Sequence, residues 1–561
     1  MRRQILSCII VGLLIVAPSF AQRVSNQLAE KVALSVLSAQ NRENNLDCSS
    51  KKILNVIPLG KNDTTMYMVS SSYNWVLIAG DMRVTPILAY SDENNGPFSS
   101  DDMPPAMVDL LDWYDAQIAY VRDSSAERDI HPEWSNILNG IDVLQRSVIV
   151  SPLLYRNGLE NLWGQYGNNE SGNNQTDITR AYNKFCPLLP VELPLGSSYC
   201  HTPAGCVAVS TSQIMWYWQW PNSGIVLNDN GDTLVRQYDW TLMPTKLMNS
   251  SSIEQADMIA TLLHDVGESV HMHYGCTGSG AYADSAAIVL THNFDYLIDG
   301  LFHRLLFNHI WIERLKTNLN EQKPVIYGGN RLLSSGGTVG HQFVLDGYDS
   351  TNKFHANFGW MGTNNGYYLL DSLGQAGQPY NISQYAIFNI RPNYPSCDDW
   401  TDLPIDTFPT YFILQTGGSI SIGNRIIPNG KSGAIYSGEY IELLPGFEIK
   451  AGAELYLNVK DMHCEEVERN NNAPEFESAN KPTISERDPQ SQILLTDPMQ
   501  KILKVHAESE IVSVLIFDYY GRCVLQTESA DISIGHLPPG MYIVRVYTAD
   551  GQTLQSKFVH K

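Results

Sequence analysis

Thr202-Pro203-Ala204-Gly205-Cys206-Val207-Ala208-Val209-Ser210-Thr211-Ser212-Gln213-Ile214-Met215-Trp216-Tyr217-Trp218 is the stretch whose reading decides the fold. Pro203 and Gly205 make a turn that delivers one cysteine into the first turn of a helix, and Pro221 closes that helix off. Unpaired amides and the dipole at a helix N-terminus favour negative charge, so they favour the thiolate of Cys206 over its thiol. A free thiol titrates near ~8.5, and such surroundings lower it to roughly 3.5–7.5. Ala208, Ser210 and Ser212 are small and let other elements approach the helix closely. The plain alternative is an inert cysteine on a core helix, because free Cys is among the most buried residue types. Residues further along the chain weigh against that alternative.

The chain has 561 residues, room for about three or four domains. A hydrophobic content of 43% with 17% charged residues places it among globular chains. A formal net charge of −22 speaks against nucleic-acid partners and anionic membranes, which need clustered Lys and Arg. Arg2 and Arg3 precede an apolar run from Ile9 to Val16, and Ser19-Phe20-Ala21 offers small residues for cleavage, so 1–21 reads as an export signal. No later stretch holds the ~20 apolar residues of a membrane span. Eight cysteines remain after that signal: Cys48, Cys186, Cys200, Cys206, Cys276, Cys397, Cys464 and Cys523. An oxidising compartment lets some of them pair, but their irregular spacing assigns no pairs.

Residues 22–146 read as a small α+β unit. A helix over about 27–39 puts Leu28, Val32 and Val36 on one face, and strand-like runs follow at 53–59, 66–69, 75–79 and 84–90. A second amphipathic helix presents Met107, Leu110, Leu111, Tyr114, Ile118 and Val121. Residues 147–393 form the next unit. It holds the Cys206 helix, another helix over about 252–266, a glycine-rich loop from Tyr274 to Gly280, and strands at 324–327, 341–348, 354–360 and 367–370. Residues 394–465 read as short strands between Gly and Pro turns, a small all-β module. Residues 466–490, rich in Asn, Glu, Pro and Ser, read as a linker, and 491–561 as a β-sandwich of about six alternating strands.

The chemistry-bearing residues are scattered. His341 follows Gly336-Gly337-Thr338-Val339-Gly340 and opens the strand His341-Gln342-Phe343-Val344-Leu345-Asp346-Gly347. A histidine at a strand mouth reached by a glycine loop is placed to act as a base. Its separation from Cys206, 341 − 206 = 135 residues, falls in the ~130–150 range of papain-like enzymes. In Phe354-His355-Ala356-Asn357-Phe358-Gly359-Trp360, alternation puts His355 and Asn357 on one face and Phe354, Ala356 and Phe358 on the other. Asn357 is expected to orient the imidazole of His341, and Trp360 to shield that contact from water. Gln165 and the backbone amide of Cys206 are the candidate oxyanion donors. His271, His273 and Cys276 supply too few ligands for zinc. No metal or organic cofactor is expected.

Three stretches together, Gly205-Cys206-Val207-Ala208 with Gln213-Ile214-Met215, Gly340-His341-Gln342-Phe343-Val344-Leu345-Asp346-Gly347, and Asn357-Phe358-Gly359-Trp360, resemble the streptopain family of secreted cysteine peptidases, with the interpain type nearest. The resemblance covers about residues 22–393. Trp75-Val76-Leu77-Ile78-Ala79-Gly80-Asp81 and Pro86-Ile87-Leu88-Ala89-Tyr90-Ser91 match core strands of that family's inhibitory propeptide. It implies a papain-like two-part catalytic fold, Cys206 as nucleophile, His341 as base, and Ser279 and Gly340 as substrate contacts. Two departures stand out. The family's Trp-Gly-Trp after the asparagine is Phe358-Gly359-Trp360 here, and an insert around Asn168–Thr176 lengthens the path from Gln165 to Cys206. Leu537-Pro538-Pro539-Gly540-Met541-Tyr542-Ile543-Val544-Arg545-Val546, with Gly551, Lys557 and Lys561, resembles the sorting domain of type IX secretion cargo.

These readings combine into an expected secreted cysteine endopeptidase made as a zymogen. Its fold class is α+β: a papain-like catalytic domain between a small α+β propeptide and all-β modules. Its expected partners are protein or peptide substrates, its own propeptide as intramolecular inhibitor, and the type IX secretion machinery. Cleavage is expected near Arg146 or before Ser151. The rivals are a catalytically silent papain-fold surface adhesin and a transpeptidase or amidase on the same fold.

Overall fold

Apolar runs of strand-forming residues, Trp75–Ala79 and Val325–Tyr327 among them, are buried on both faces and belong to interior strands of one large sheet. A computed structural model describes residues 22–43, 55–91, 98, 103–123, 129–139, 148–167, 178–193, 196–227, 232–304, 308–332, 338–370, 382–460 and 462–464, and most of 493–560. The proposed signal (1–21), the Asn-rich insert (168–177), the expected cleavage region around Arg146 and the linker 466–490 lie outside the described residues. The chain packs as two units, 1–467 and 468–561.

The first unit opens with α1 (Asn26–Glu43), whose Ala29, Val32, Ala33, Val36 and Leu37 form a buried stripe at helical spacing. Four antiparallel strands follow: β1 (Asn55–Leu59), β2 (Met66–Ser70), β3 (Trp75–Ala79) and β4 (Ile87–Tyr90). Next come α2 (Pro105–Asp123), started by Pro104 and Pro105, and α3 (Pro132–Leu138). All six apolar residues expected on one face of the second helix are buried.

Beyond β5 (Val148–Val150) stand the hairpin of β6 (Leu188–Leu193) and β7 (Gly196–His201), then α4 (Cys206–Trp218), α5 (Ile253–Ser269) and α6 (Ala283–His292). α5 starts in a capping box, Ser252 and Gln255 bonding each other's backbone N–H. β8 (Gly300–His303) and α7 (Asn308–Asn320) lead into β9 (Val325–Leu332), β10 (Thr338–Asp349), β11 (Lys353–Asn357), β12 (Gly366–Leu369) and β13 (Ile382–Phe388). Side-chain alternation divides this sheet between two cores. Ile326, Val344 and Ile387 pack with Val207, Ile214, Leu262 and Leu263 of the α4–α5 layer. Tyr327, Phe343, Leu345 and Phe388 pack with Leu315 and Leu319 of α7 and with Leu110 and Tyr114 of α2.

The strands of the 22–146 region, read from the sequence as a compact unit, continue into the sheet of the following region. The sheet order is β1-β2-β3-β4-β12-β11-β10-β9-β13-β8, with β5 on β10. β4 pairs with β12, Tyr90 opposite Tyr367, and the two rings stack at 5.1 Å. The Tyr90 hydroxyl donates to Asp349 at 2.8 Å, and that of Tyr114 to the Leu369 carbonyl at 2.7 Å. Two sheet edges with open N–H and C=O groups satisfy one another, a relation that no local pattern encodes.

Residues 411–459 are the second surprise. Tyr411–Thr416, Ser432–Ser437 and Glu454–Val459 stack in parallel, as do Ile420–Ile422 with Ile441–Leu443 and Ile426–Ile427 with Glu448–Ile449. The short strands expected there are present, but they wind as a three-faced solenoid around Ile420, Ile422, Ile427 and Ile435. A Cys397–Cys464 disulfide closes it, and Lys460 donates to Asn222 at 3.1 Å to hold it against the α4 layer. A second disulfide joins Cys200 and Cys276. In the second unit, residues 493–560 form sheets of three and four strands around Leu503, Val514, Ile516, Ile532, Val544 and Val546. Among the described residues no helix is long and apolar enough to cross a membrane.

Asp81, fully buried, receives Arg83 through both carboxylate oxygens at 2.8 Å and Arg122 at 3.4 Å. Burial alone raises its pKa, but the bonds and charge of Arg83, helped by Arg122, hold it below the usual carboxylate value. Asp81→Asn in the full chain, with Cys206→Ala to prevent processing, is expected to lower stability by about 3–5 kcal/mol, read as a lower urea midpoint at pH 7. Because the folded pKa lies below the unfolded one, this contribution is complete above about pH 4 and fades as pH falls further.

Candidate active site

α4 starts at Cys206 because Gly205 turns the chain with φ 88°, a conformation that side chains resist. A Cβ at 205 would also stand 2.6 Å from the Met272 sulfur and 3.2 Å from the Ser279 carbonyl. Cys206 is thereby set in the first helical turn, 9% exposed. Ala208, Ser210 and Ser212 are buried, and the Gln342 side chain of β10 donates to the Ser210 hydroxyl at 3.0 Å. The small residues of α4 thus admit the strand that carries His341.

His341, 4% exposed, hydrogen-bonds the thiol of Cys206. Burial pushes the Cys206 pKa up. The His341 charge and hydrogen bond, with backbone bonds from Gln342 and Val207, outweigh this and leave it below the ordinary thiol value. Burial likewise pushes His341 down. The Cys206 charge and hydrogen bond, the Phe358 carbonyl and the charge of Asp109 leave it above the ordinary imidazole value. Opposite shifts on two bonded groups favour one arrangement, thiolate beside imidazolium.

Asn357 does not meet the imidazole, contrary to expectation. Nε2 of His341 donates instead to the backbone carbonyl of Phe358 at 3.1 Å. The Asn357 side chain is engaged behind it: its Oδ1 accepts from Gln213 at 3.0 Å and from the Gly359 amide at 3.1 Å, and its Nδ2 donates to Glu160 at 3.1 Å and to the Asn161 carbonyl at 2.7 Å. Asn365 adds bonds to Glu160 and to the Phe358 amide. This buried network fixes the turn whose carbonyl holds the ring. Gly359, at φ 64°, lets that turn close on α4, where a Cβ would stand 2.8 Å from Val209. Trp360 lies edge-on to His341, ring centroids 6.0 Å apart.

The other expected residues lie beside the loop into Cys206 or next to His341. The Gln165 carbonyl accepts the Ala204 amide at 2.9 Å, which places residue 165 beside the loop into Cys206. Ser279 borders Gly205 through its carbonyl, and Gly340, exposed, precedes His341 in the β9–β10 ladder opposite Asn330. Cys276 is bonded to Cys200, so its thiolate is unavailable to a metal at His271 and His273. Among the described residues no group of three or more His, Cys, Asp and Glu is placed to hold a metal. Sequence reasoning missed the Phe358 carbonyl, Glu160, Asn161 and Asp109. Of the network, only Gln213 carried a local signal, two helical turns after Cys206 on the same face. Asp109, Ala106 and Leu110 of α2 line one crevice with His341, Tyr327, Phe343 and Gln384, so the N-terminal half of α2 covers the histidine side of the site.

Comparisons with known proteins bear on this arrangement. Residues 175–368 match the Peptidase C10 family, 21–118 the Spi protease inhibitor family and 497–561 the secretion system C-terminal sorting domain. The chain is 27% identical over 338 residues to the thiol protease/hemagglutinin PrtT of Porphyromonas gingivalis, an alignment covering 57% of this chain and 36% of that protein. It is 26% identical over 360 residues to streptopain of Streptococcus pyogenes, covering 59% of this chain and 81% of that one. Among solved structures, a prointerpain A fragment of Prevotella intermedia aligns at 24% identity and a TM-score of 0.43, over 59% of this chain and 97% of that one. Active interpain A aligns at 27% and 0.32, over 43% and 93%. The sorting domain marks the chain for secretion or the cell surface. In chain order, then, the chain matches a Spi protease inhibitor, the Peptidase C10 family and a secretion-system C-terminal sorting domain.

Proposed function

We propose that this chain is the zymogen of a secreted cysteine endopeptidase in which Cys206 is the nucleophile and His341 the general acid and base. The observation that carries the reading is the buried hydrogen-bonded pair with opposite pKa shifts. The thiolate attacks a peptide carbonyl, and the carbonyl electrons move onto oxygen. The Cys206 amide at the helix N-terminus and the Gln165 side chain donate to that oxyanion. The imidazolium gives its proton to the leaving amine, and a thioester remains on Cys206. Neutral His341 then takes a proton from water, whose oxygen attacks the thioester and releases the acid. Phe358 and Asn357 act by position, holding the ring, while Ser279, Gly340 and Trp360 border the bound peptide.

Self-inhibition is read from α2. Asp109, 7% exposed, stands near His341, and Ala106 and Leu110 line the same crevice, so α2 sits over the histidine side of the site and competes with substrate for it. Asp109 also raises the pKa of His341, which preserves the imidazolium within the zymogen.

Cys206→Ala is expected to lower casein or peptide hydrolysis by at least about 10³-fold and to accumulate as full-length protein where wild type is processed. Undiminished hydrolysis would overturn the assignment. Processing of purified Cys206→Ala without added protease would overturn self-cleavage alone.

The Cys206–His341 pair is expected to titrate as a unit in the mature enzyme. The acid limb of kcat/KM then lies below the ordinary thiol value of ~8.5 and the alkaline limb above the ordinary imidazole value of ~6.5. Iodoacetamide at pH 6 is expected to label Cys206 and to spare Cys186, which burial pushes up to about 12. Labelling of Cys206 that rises only as pH approaches ~8.5 would overturn the ion pair.

A further inference from the structure

Four cysteines close to the cleft exist in three chemical states. Cys206 is tuned toward thiolate, Cys186 is a buried thiol pushed up to about 12, and Cys200 is bonded to Cys276 with Cα atoms 5.8 Å apart. The bridge ties together two segments that adjoin Gly205 and Cys206. Cys200 lies in β7, whose end runs through Thr202 into Cys206. Cys276 lies in the loop that sets the Met272 thioether and the Ser279 carbonyl against Gly205.

That loop is held within itself mostly by short-range bonds. His273 and Gly280 exchange backbone bonds at 2.9 and 3.2 Å, the Gly278 amide donates to the Gly275 carbonyl at 3.2 Å, and the Gly275 amide to the Ser279 hydroxyl at 3.4 Å. Gly278 and Gly280 face open space, with no atom within 4 Å of where a Cβ would stand. Three glycines in six residues, Gly275 to Gly280, are entropically costly to hold in one conformation. A covalent tie across a sequence separation of 76 residues supplies the long-range constraint that the local bonds do not.

We propose that the Cys200–Cys276 disulfide is a positioning element for substrate. It holds the Gly275–Gly280 wall at the distance from Cys206 that an extended peptide requires. Efficient capture of an extended peptide then needs an oxidised Cys200–Cys276, while the chemical step needs a reduced Cys206 in the same cleft. This rests on the proposed role of Cys206. A dithiol reductant consequently acts in opposite directions. It releases a small thiol from a mixed disulfide on Cys206 and restores the nucleophile. At higher concentration it reaches the partly exposed bridge. There the dithiol is oxidised to its cyclic disulfide, while Cys200 and Cys276 each take up one electron and one proton.

The test uses the mature enzyme from the full chain, with wild type, the double variant Cys200→Ser/Cys276→Ser, and dithiothreitol as reductant. For an extended peptide substrate the double variant is expected to show KM raised about five- to tenfold, with kcat within about twofold. Its Cys206 is expected to react with iodoacetamide at the wild-type rate, because that reagent makes no use of the wall. Wild-type kcat/KM is expected to rise and then fall with dithiothreitol, the fall tracking bridge reduction by intact mass, whereas the double variant rises only to a plateau. Unchanged KM, or a wild-type curve that never falls once the bridge is reduced, would overturn the proposal. Equal losses in peptide hydrolysis and alkylation would also overturn it, assigning the bridge to general stability. If the double variant does not fold, the wild-type titration decides alone. Hydrolysis surviving in Cys206→Ala would sink the nucleophile assignment and leave the KM comparison of the bridge intact.

Discussion

A sulfur and an imidazole, each nearly out of water, share a hydrogen bond, and the rest of the first unit is arranged so that they can. Neither charge survives burial alone, because desolvation disfavours each ionised form. Together they stabilise one another, provided that their separation is held to within a fraction of an ångström. Gly205 places the sulfur, β10 brings the ring, and the Phe358 carbonyl stops the ring from turning away. Gln213, Asn357, Glu160, Asn161 and Asn365 lie behind that carbonyl, and their cross-bonding converts a turn into a rigid support.

The inhibitor half is built into the same sheet as the catalytic half. β4 extends the sheet at β12, Tyr90 and Tyr114 bond across the junction, and α2 is carried onto the histidine side of the cleft. Continuity of the sheet makes the position of α2 beside His341 a consequence of strand pairing. On the proposed reading, latency therefore depends on backbone hydrogen bonds some distance from the sulfur as much as on contacts at it.

Much of this was legible in the chain. Amphipathic spacing located α1 and α2, strand-like runs located β1 to β4, and alternation assigned the faces of β11. The face assigned to Phe354, Ala356 and Phe358 is the face on which they pack. The partner of His341 was not legible, since a backbone carbonyl has no residue type to read. Nor was the solenoid: its short strands were visible, but parallel stacking pairs residues from successive coils, and nothing in a single strand says which neighbour it takes. The disulfides were equally hidden, because irregular cysteine spacing leaves many pairings open and only Cα separations of 5.8 and 5.2 Å select two.

The sequence by itself located the main helices and strands around the site and showed that Cys206 opens a helix, whereas His341, read as the start of a strand, lies inside one that begins at Thr338. Those properties depend on residues within a few positions of one another. The tertiary structure decided which carbonyl holds the imidazole, which cysteines bond, and that inhibitor and protease share one sheet. Such choices depend on groups far apart in the chain, and they exist only once packing has brought those groups within hydrogen-bond or covalent reach.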